Sequence, residues 1–93
     1  MCTYITEKLA ASGSAKGAGG WFDLTEITVY FDHPQHAQEA HTLNIDFLDP
    51  TQGASARVAV ELTADTALAL AEAVRSILAS VPAGLLPEPA GQA

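Results

Sequence analysis

The stretch ITVYFDHPQHAQEAHTLNIDFL, residues 27–48, holds two segments of alternating apolar and polar residues on either side of a polar loop. Every second position of these segments is apolar: Ile27, Val29, Phe31, Leu43, Ile45 and Phe47. A period of two is typical of strands with one face against a core. Pro34 cannot donate a hydrogen bond to a sheet, so the first strand is expected to end near His33. The stretch therefore predicts an antiparallel hairpin with one apolar face.

The flanking segments extend this sheet and add a helix. TYITEKLAA, residues 3–11, is predicted to form a first strand, and SGSAKGAGG, residues 12–20, a flexible loop or wide hairpin connection. ARVAVEL, residues 56–62, is predicted as the fourth strand after the turn DPTQGAS. TADTALALAEAVRSILASV, residues 63–81, predicts a helix capped by Thr63. Its apolar stripe is expected to cover the apolar face of the sheet, and it consists of Leu70, Val74, Ile77, Leu78 and Val81.

The predicted fold class is α+β, a four-stranded antiparallel meander with one C-terminal helix packed on one face in two layers. Residues 1–82 are expected to form a single domain. Residues 83–93 are rich in Pro, Gly and Ala and are expected to be a flexible C-terminal tail.

Composition and charge exclude several classes of partner. The 93 residues carry 11 acidic and only 4 basic side chains, a net charge of -7, so nucleic acids and anionic membrane surfaces are not expected to bind. A cation, or a neutral or cationic small molecule, suits this charge better. No apolar run reaches the length that spans a bilayer. The single cysteine excludes an internal disulfide, and no signal peptide is evident, so a cytoplasmic location is predicted.

Self-association is predicted from the ratio of apolar to charged residues. Hydrophobic residues make up 48% of the chain and charged residues 16%, and one helix covers a four-stranded sheet poorly. The opposite sheet face, with Tyr30, Asn44 and Asp46, is either solvated or in contact with a second subunit. Trp21 and Phe22 form an aromatic pair of the kind that anchors interfaces. The expected assembly is a homodimer.

All three histidines lie in the loop of the central hairpin or beside it. His33 continues the apolar register of its strand, and His41 begins that of the next. The two side chains are expected to face each other with Cβ atoms roughly 5 Å apart. Such a pair can share one metal ion. The sequence therefore predicts a transition-metal site, with zinc favoured over copper or iron.

Two further ligands and two supporting carboxylates complete the predicted site. His36 lies in the loop between the other two histidines, and Cys2 returns close to His33 if the first two strands pair. Glu39 and Asp32 are candidates for orienting imidazole N–H groups. Glu39 is favoured, since a regular strand places Asp32 on the opposite face.

Other interpretations of the same residues stay open. The histidine segment can be a plain turn, and a Cys2–His33 pair can act as a nucleophile and its base. An open metal position favours an enzyme, whereas four protein ligands favour a structural site. The competing class is a metal-free homodimeric interaction module or small-ligand-binding module that uses the polar sheet face and the Trp21–Phe22 pair.

Four motifs carry a resemblance to a known family. MCTYITEK, GWF, VYFDHP and HTLNIDF, in this order, resemble the motifs of a family of small uncharacterised actinobacterial proteins of similar length. The resemblance implies no activity, because the function of that family is undefined. It does point to four of the residues named above, Cys2, Trp21, His33 and His41. His36 lies outside these motifs.

Overall fold

A computed structural model describes residues 5–86. Its elements are β1 (Ile5–Gly17), β2 (Gly20–Asp32), β3 (Thr42–Leu48), a 3-10 turn (Pro50–Gln52), β4 (Arg57–Leu62) and α1 (Ala64–Ser80). Cys2 and most of the predicted C-terminal tail lie outside the described residues.

The four strands form an antiparallel meander in the order β1-β2-β3-β4. Val29 pairs with Ile45, and Ile45 pairs with Val60, so the apolar positions of neighbouring strands are aligned. This alignment follows from the period of two, since a slip of one residue would move every apolar side chain to the other face. The predicted α+β fold is confirmed.

Each face of the sheet has a distinct composition. The face that we call the apolar face carries nine side chains of the three later strands: Ile27, Val29, Phe31, Leu43, Ile45, Phe47, Val58, Val60 and Leu62. The face that we call the polar face carries Tyr30, Asn44 and Glu61 in one row and Asp46 beside Ala59 in the next.

Of the two structures predicted for the glycine-rich segment, the flexible loop is wrong, and the segment belongs to a hairpin. β1 continues through it to Gly17, and a turn of Ala18 and Gly19 leads directly into β2. The pairing shifts between Ala10 and Gly13, where an irregularity interrupts the ladder. Gly13 has φ of 154° there, a backbone conformation that favours glycine. The small residues therefore build a long irregular hairpin.

The tip of this hairpin reaches beyond β3 and contacts the loop before β4. A Cβ atom on Gly17 would lie 2.7 Å from the carbonyl oxygen of Ser55 and 3.2 Å from the ring of Phe22. Phe22 is only 8% exposed and Ala56 only 4% exposed. The absence of a side chain at Gly17 thus permits the contact that buries these two residues.

The helix has the predicted bounds but not the predicted packing. Thr63 caps it by accepting a hydrogen bond from the Thr66 backbone N–H at 3.2 Å. The chain leaves the helix at Val81, before Pro82. No residue of α1 is buried, so the helix does not cover the apolar face as expected. Within residues 5–86 no helix combines the length and apolar character needed to cross a membrane.

Within a single chain, residues 5–86 form almost no hydrophobic core. Of residues 5–86 five are buried, and three of these are polar: Phe22, Thr42, Asn44, Asp49 and Ala56. A domain of this size normally buries a contiguous cluster of large apolar side chains. The predicted core positions on the apolar face are instead only half-buried.

Gly17→Ala tests the contact at the hairpin tip. The added methyl group would overlap the Ser55 carbonyl, so we expect a loss of about 1–3 kcal/mol in the free energy of unfolding, measured with urea. Gly19→Ala is the control, because its methyl group would lie 3.3 Å from the Ser55 hydroxyl, which can move. Equal stability of the two variants would contradict the close approach at Gly17.

Candidate functional site

His33 and His41 face each other across the β2–β3 hairpin, as the strand register predicts. Their ring centroids are 4.6 Å apart with an interplanar angle of 28°. The ring of Phe31 also stacks with His41, with centroids 5.8 Å apart and planes inclined by 17°. His41 thus stacks with two rings at the end of the hairpin.

This arrangement does not converge on a metal ion. The lone pairs of an imidazole lie in the plane of its ring, so two stacked rings do not direct their nitrogens at a common point. The Nδ1 atom of His33 is 3.0 Å from the carbonyl oxygen of Ala40. Since a carbonyl oxygen only accepts, Nδ1 donates in this contact, which leaves Nε2 as the one possible ligand atom of His33.

The other predicted ligands are placed elsewhere. His36 has an exposed side chain, and its backbone N–H donates to Glu61. Asp32 accepts from the backbone N–H of His33 at 2.7 Å, and Glu39 is exposed. Cys2 lies outside the described residues. Within residues 5–86 no group of three or more His, Cys, Asp or Glu side chains can hold a metal ion, so the predicted metal-binding function is wrong.

Trp21 and Phe22, the predicted interface pair, do not lie together in the structure. Trp21 is 70% exposed, whereas Phe22 is buried inside the chain at the hairpin tip. Alternation along β2 places the two rings on opposite faces of the strand. Phe22 therefore does not form an exposed pair with Trp21.

A carboxylate from β4 fixes the histidine loop on the polar face. Glu61 accepts hydrogen bonds from the backbone N–H groups of Gln35 at 2.6 Å, His36 at 3.1 Å and Ala37 at 2.8 Å. The bonds from Ala37 and Gln35 contribute most to lowering the pKa of Glu61, and His36 adds to the effect. The loop is thus held by a side chain 24 to 26 positions along the chain.

Beneath this loop the polar face contains a cavity of about 140 Å³, which we call the polar cavity. Its polar lining consists of Tyr30, Gln35, Asn44, Asp46, Arg57 and Glu61. Arg57 Nη2 lies 3.0 Å from Asp46 Oδ1, and the Tyr30 hydroxyl donates to Asp46 Oδ2 at 3.5 Å. Burial, followed by the Asp46 carboxylate, raises the pKa of Tyr30, so the phenol keeps its proton.

The sequence alone did not single out this cavity. Its members alternate on three strands with other polar residues, and Asp46 and Glu61 have no neighbouring cluster along the chain. The available signal was the strand register, which aligns Tyr30, Asn44 and Glu61 in one row. The contribution of Gln35 depends on the loop folding back, and no periodicity indicates that.

Residues 1–87 match the family of unknown function DUF6295. The chain belongs to this family. No curated protein and no solved structure matches it. The predicted resemblance to a family without a known activity is thereby confirmed, and the site has to be interpreted from its own geometry.

Glu61→Gln tests the anchoring of the histidine loop. Folding lowers the pKa of Glu61 below its ordinary value of 4.5. The ionised carboxylate therefore stabilises the folded state at every pH above 4.5. This stabilisation is lost as the pH falls through the lower pKa of the folded state. We therefore expect wild type to be more stable than Glu61→Gln at pH 7, and the difference to disappear in acid.

The measurement is chemical unfolding of both proteins across this pH range, with hydrogen exchange of the Gln35, His36 and Ala37 amides at pH 7. Glu39→Gln is the matched control, since the same change at an exposed loop position should leave exchange at these amides unaltered. Unchanged protection of these amides in Glu61→Gln would disprove the anchor.

Proposed function

We propose that the protein is a metal-free homodimeric binding module, in which the apolar faces of two chains form a shared core. One observation carries this proposal: a single chain leaves both the apolar face of its sheet and the apolar stripe of its helix uncovered. We place the dimer in the cytoplasm, in keeping with the single cysteine.

The sheet contributes one uncovered layer. All nine apolar-face residues of β2, β3 and β4 are half-buried, and none is buried. On β1 the same face continues with Ile5, 67% exposed, and Leu9, 47% exposed. An apolar surface of this extent is rare on a protein that functions as a monomer.

The helix contributes the second uncovered layer. Leu70 is 46% exposed, and Val74 and Leu78 are each 50% exposed. An open groove of about 520 Å³ separates this side of α1 from Val29, Leu43 and Ile45 of the sheet. Covering each half-exposed leucine or valine would contribute roughly 1 kcal/mol, and a symmetric contact counts every such residue twice.

A second copy of this chain is the occupant that fits both layers. The 17 residues of α1 span about 25 Å, and the seven residues of β3 span about 23 Å, so one helix can cover the length of a partner strand. A twofold axis places the helix of each chain on the apolar face of the other. Both uncovered layers are then buried at once.

The distribution of charge supports this orientation. Glu7, Lys16 and Asp23 are the charged side chains among the positions of β1 to β4 that share the apolar face, and this face of β3 and β4 carries none. Asp46, Arg57 and Glu61 lie on the polar face, which stays outside. Each chain carries a charge of -7, and contact through the polar faces would bring acidic groups together. Trp21 alternates onto the apolar side of β2 and extends the proposed interface.

Sedimentation equilibrium of wild type and two matched variants tests the proposal. We expect wild type at twice the chain mass of 9.7 kDa, with a melting temperature that rises with protein concentration. Ala71→Asp places a carboxylate in the groove between helix and sheet and should abolish the dimer. Ala69→Asp makes the same change on the opposite side of α1, where the dimer should persist.

Because Ala71→Asp can also unfold a chain without a core of its own, wild type decides the outcome. A folded wild-type monomer of 9.7 kDa, with a melting temperature independent of concentration, would overturn the proposal. Dissociation by Ala69→Asp to the same degree as by Ala71→Asp would overturn the placement of the interface.

A further inference from the structure

The polar cavity contains an unused hydrogen-bond donor in a buried position. Asn44 is only 4% exposed, and its Oδ1 accepts from the Thr42 hydroxyl at 2.6 Å. Within residues 5–86 its amide nitrogen, which carries two N–H groups, donates no hydrogen bond to the protein. Among these residues, every side-chain nitrogen or oxygen that solvent cannot reach has a hydrogen-bond partner. The Asn44 amide nitrogen has no partner among them, so it must remain accessible to solvent. Asn44 is one of the residues that line the polar cavity.

Arg57 adds donors to the same cavity. Its guanidinium group has five N–H donors, and the contact with Asp46 is made through Nη2. The Arg57 side chain is 48% exposed and lines the polar cavity. An oxygen acceptor, and a carboxylate above all, is the group that the Asn44 amide and the Arg57 guanidinium recognise together.

The floor of the polar cavity, which is the sheet surface between its charged groups, carries only a small side chain. Ala59 lies across from Asp46 on the neighbouring strand and has Arg57 and Glu61 on either side along β4. With only a methyl group, Ala59 leaves the space above it free, and it lines the polar cavity. A ligand above Ala59 would have the Asp46 and Glu61 carboxylates within the same small enclosure.

The net charge of the polar cavity narrows the choice of ligand further. Two carboxylates and one guanidinium line the polar cavity, so its formal charge is -1. A ligand with only a carboxylate would meet this negative charge, and one with only an ammonium group would leave the Asn44 and Arg57 donors unmatched. A compact molecule with both groups matches the donors and the carboxylates of the cavity together.

We propose that the polar cavity binds a small zwitterionic α-amino acid, with its carboxylate at Asn44 and Arg57 and its ammonium group at Asp46 and Glu61. The volume of about 140 Å³ corresponds to four or five water molecules at about 30 Å³ each, which limits the ligand to the size of glycine or alanine. The polar cavity lies on the sheet face opposite the proposed dimer interface, so ligand binding is independent of self-association.

The test is a titration of the ¹⁵N-labelled full-length protein with glycine and alanine, followed by NMR. Acetate and methylammonium serve as probes with a single charged group. We expect glycine and alanine to shift the Asn44 side-chain amide signals saturably, and each single-group probe to bind at least about tenfold more weakly.

Ala59→Leu fills the floor of the polar cavity and should abolish the shifts. Ala10→Leu is the matched control, because it makes the same change at an exposed strand position outside the polar cavity and should bind like wild type. Dispersed amide spectra of both variants establish that they are folded. Should Ala59→Leu fail to fold, Arg57→Gln removes the guanidinium and is expected to weaken binding of glycine by about tenfold.

Three results would overturn the proposal. The first is the absence of a saturable shift with glycine or alanine up to about 50 mM. The second is binding of acetate or methylammonium as tight as that of glycine, which would exclude a zwitterion as the preferred ligand. The third is unaltered binding of glycine by folded Ala59→Leu or by Arg57→Gln, which would place the site elsewhere.

Discussion

The burial of the apolar sheet face is the constraint on which the rest of this structure depends. Hydrophobic burial is the dominant favourable term in folding, and a sheet with one apolar face gains it only when a second apolar layer covers that face. Here the second layer exists in the sequence, as the stripe on α1, but the helix does not close over its own sheet. The meander supplies hydrogen bonds and register, and in the proposed dimer the contact between chains would supply the missing stabilisation.

The two faces of the sheet thereby acquire separate roles. Hydrogen bonds rather than apolar contacts organise the polar face: Glu61 holds the histidine loop, and Asp46 holds Arg57 and Tyr30. These bonds are directional and fix the shape of the polar cavity without an apolar core beneath it. A dimer built through the apolar faces would carry two such cavities on its outer surfaces.

Sequence patterns predicted the parts of this fold that depend on local alternation. The pairing of Val29 with Ile45 and the cap at Thr63 follow directly from period and residue type. The course of the glycine-rich segment did not, because small residues are equally compatible with a loop and with a strand that approaches another backbone closely. The position of the helix was also not predicted. An apolar stripe shows that the helix needs an apolar partner surface, but it does not show which chain provides that surface.

The candidate site shows the same division. Register brought His33 and His41 together correctly, but the orientation of their rings, which decides whether they share an ion, depends on Phe31 and on the Ala40 carbonyl. The polar cavity needs the loop to fold back onto β4, a contact between residues more than twenty positions apart. Periodicity within a short window contains no information about such a contact.

The irregularity in β1 has a consequence for how sheets of different molecules meet. β1 is an edge strand of 13 residues, and a long regular edge invites pairing with a strand of another molecule. The register shift between Ala10 and Gly13 interrupts the row of backbone groups that such pairing would use. Lys8 on one side of it and Lys16 on the other add charges that oppose the addition of a further strand. The edge of this sheet therefore resists open-ended growth into fibrils, while its faces remain free for a contact that closes on itself.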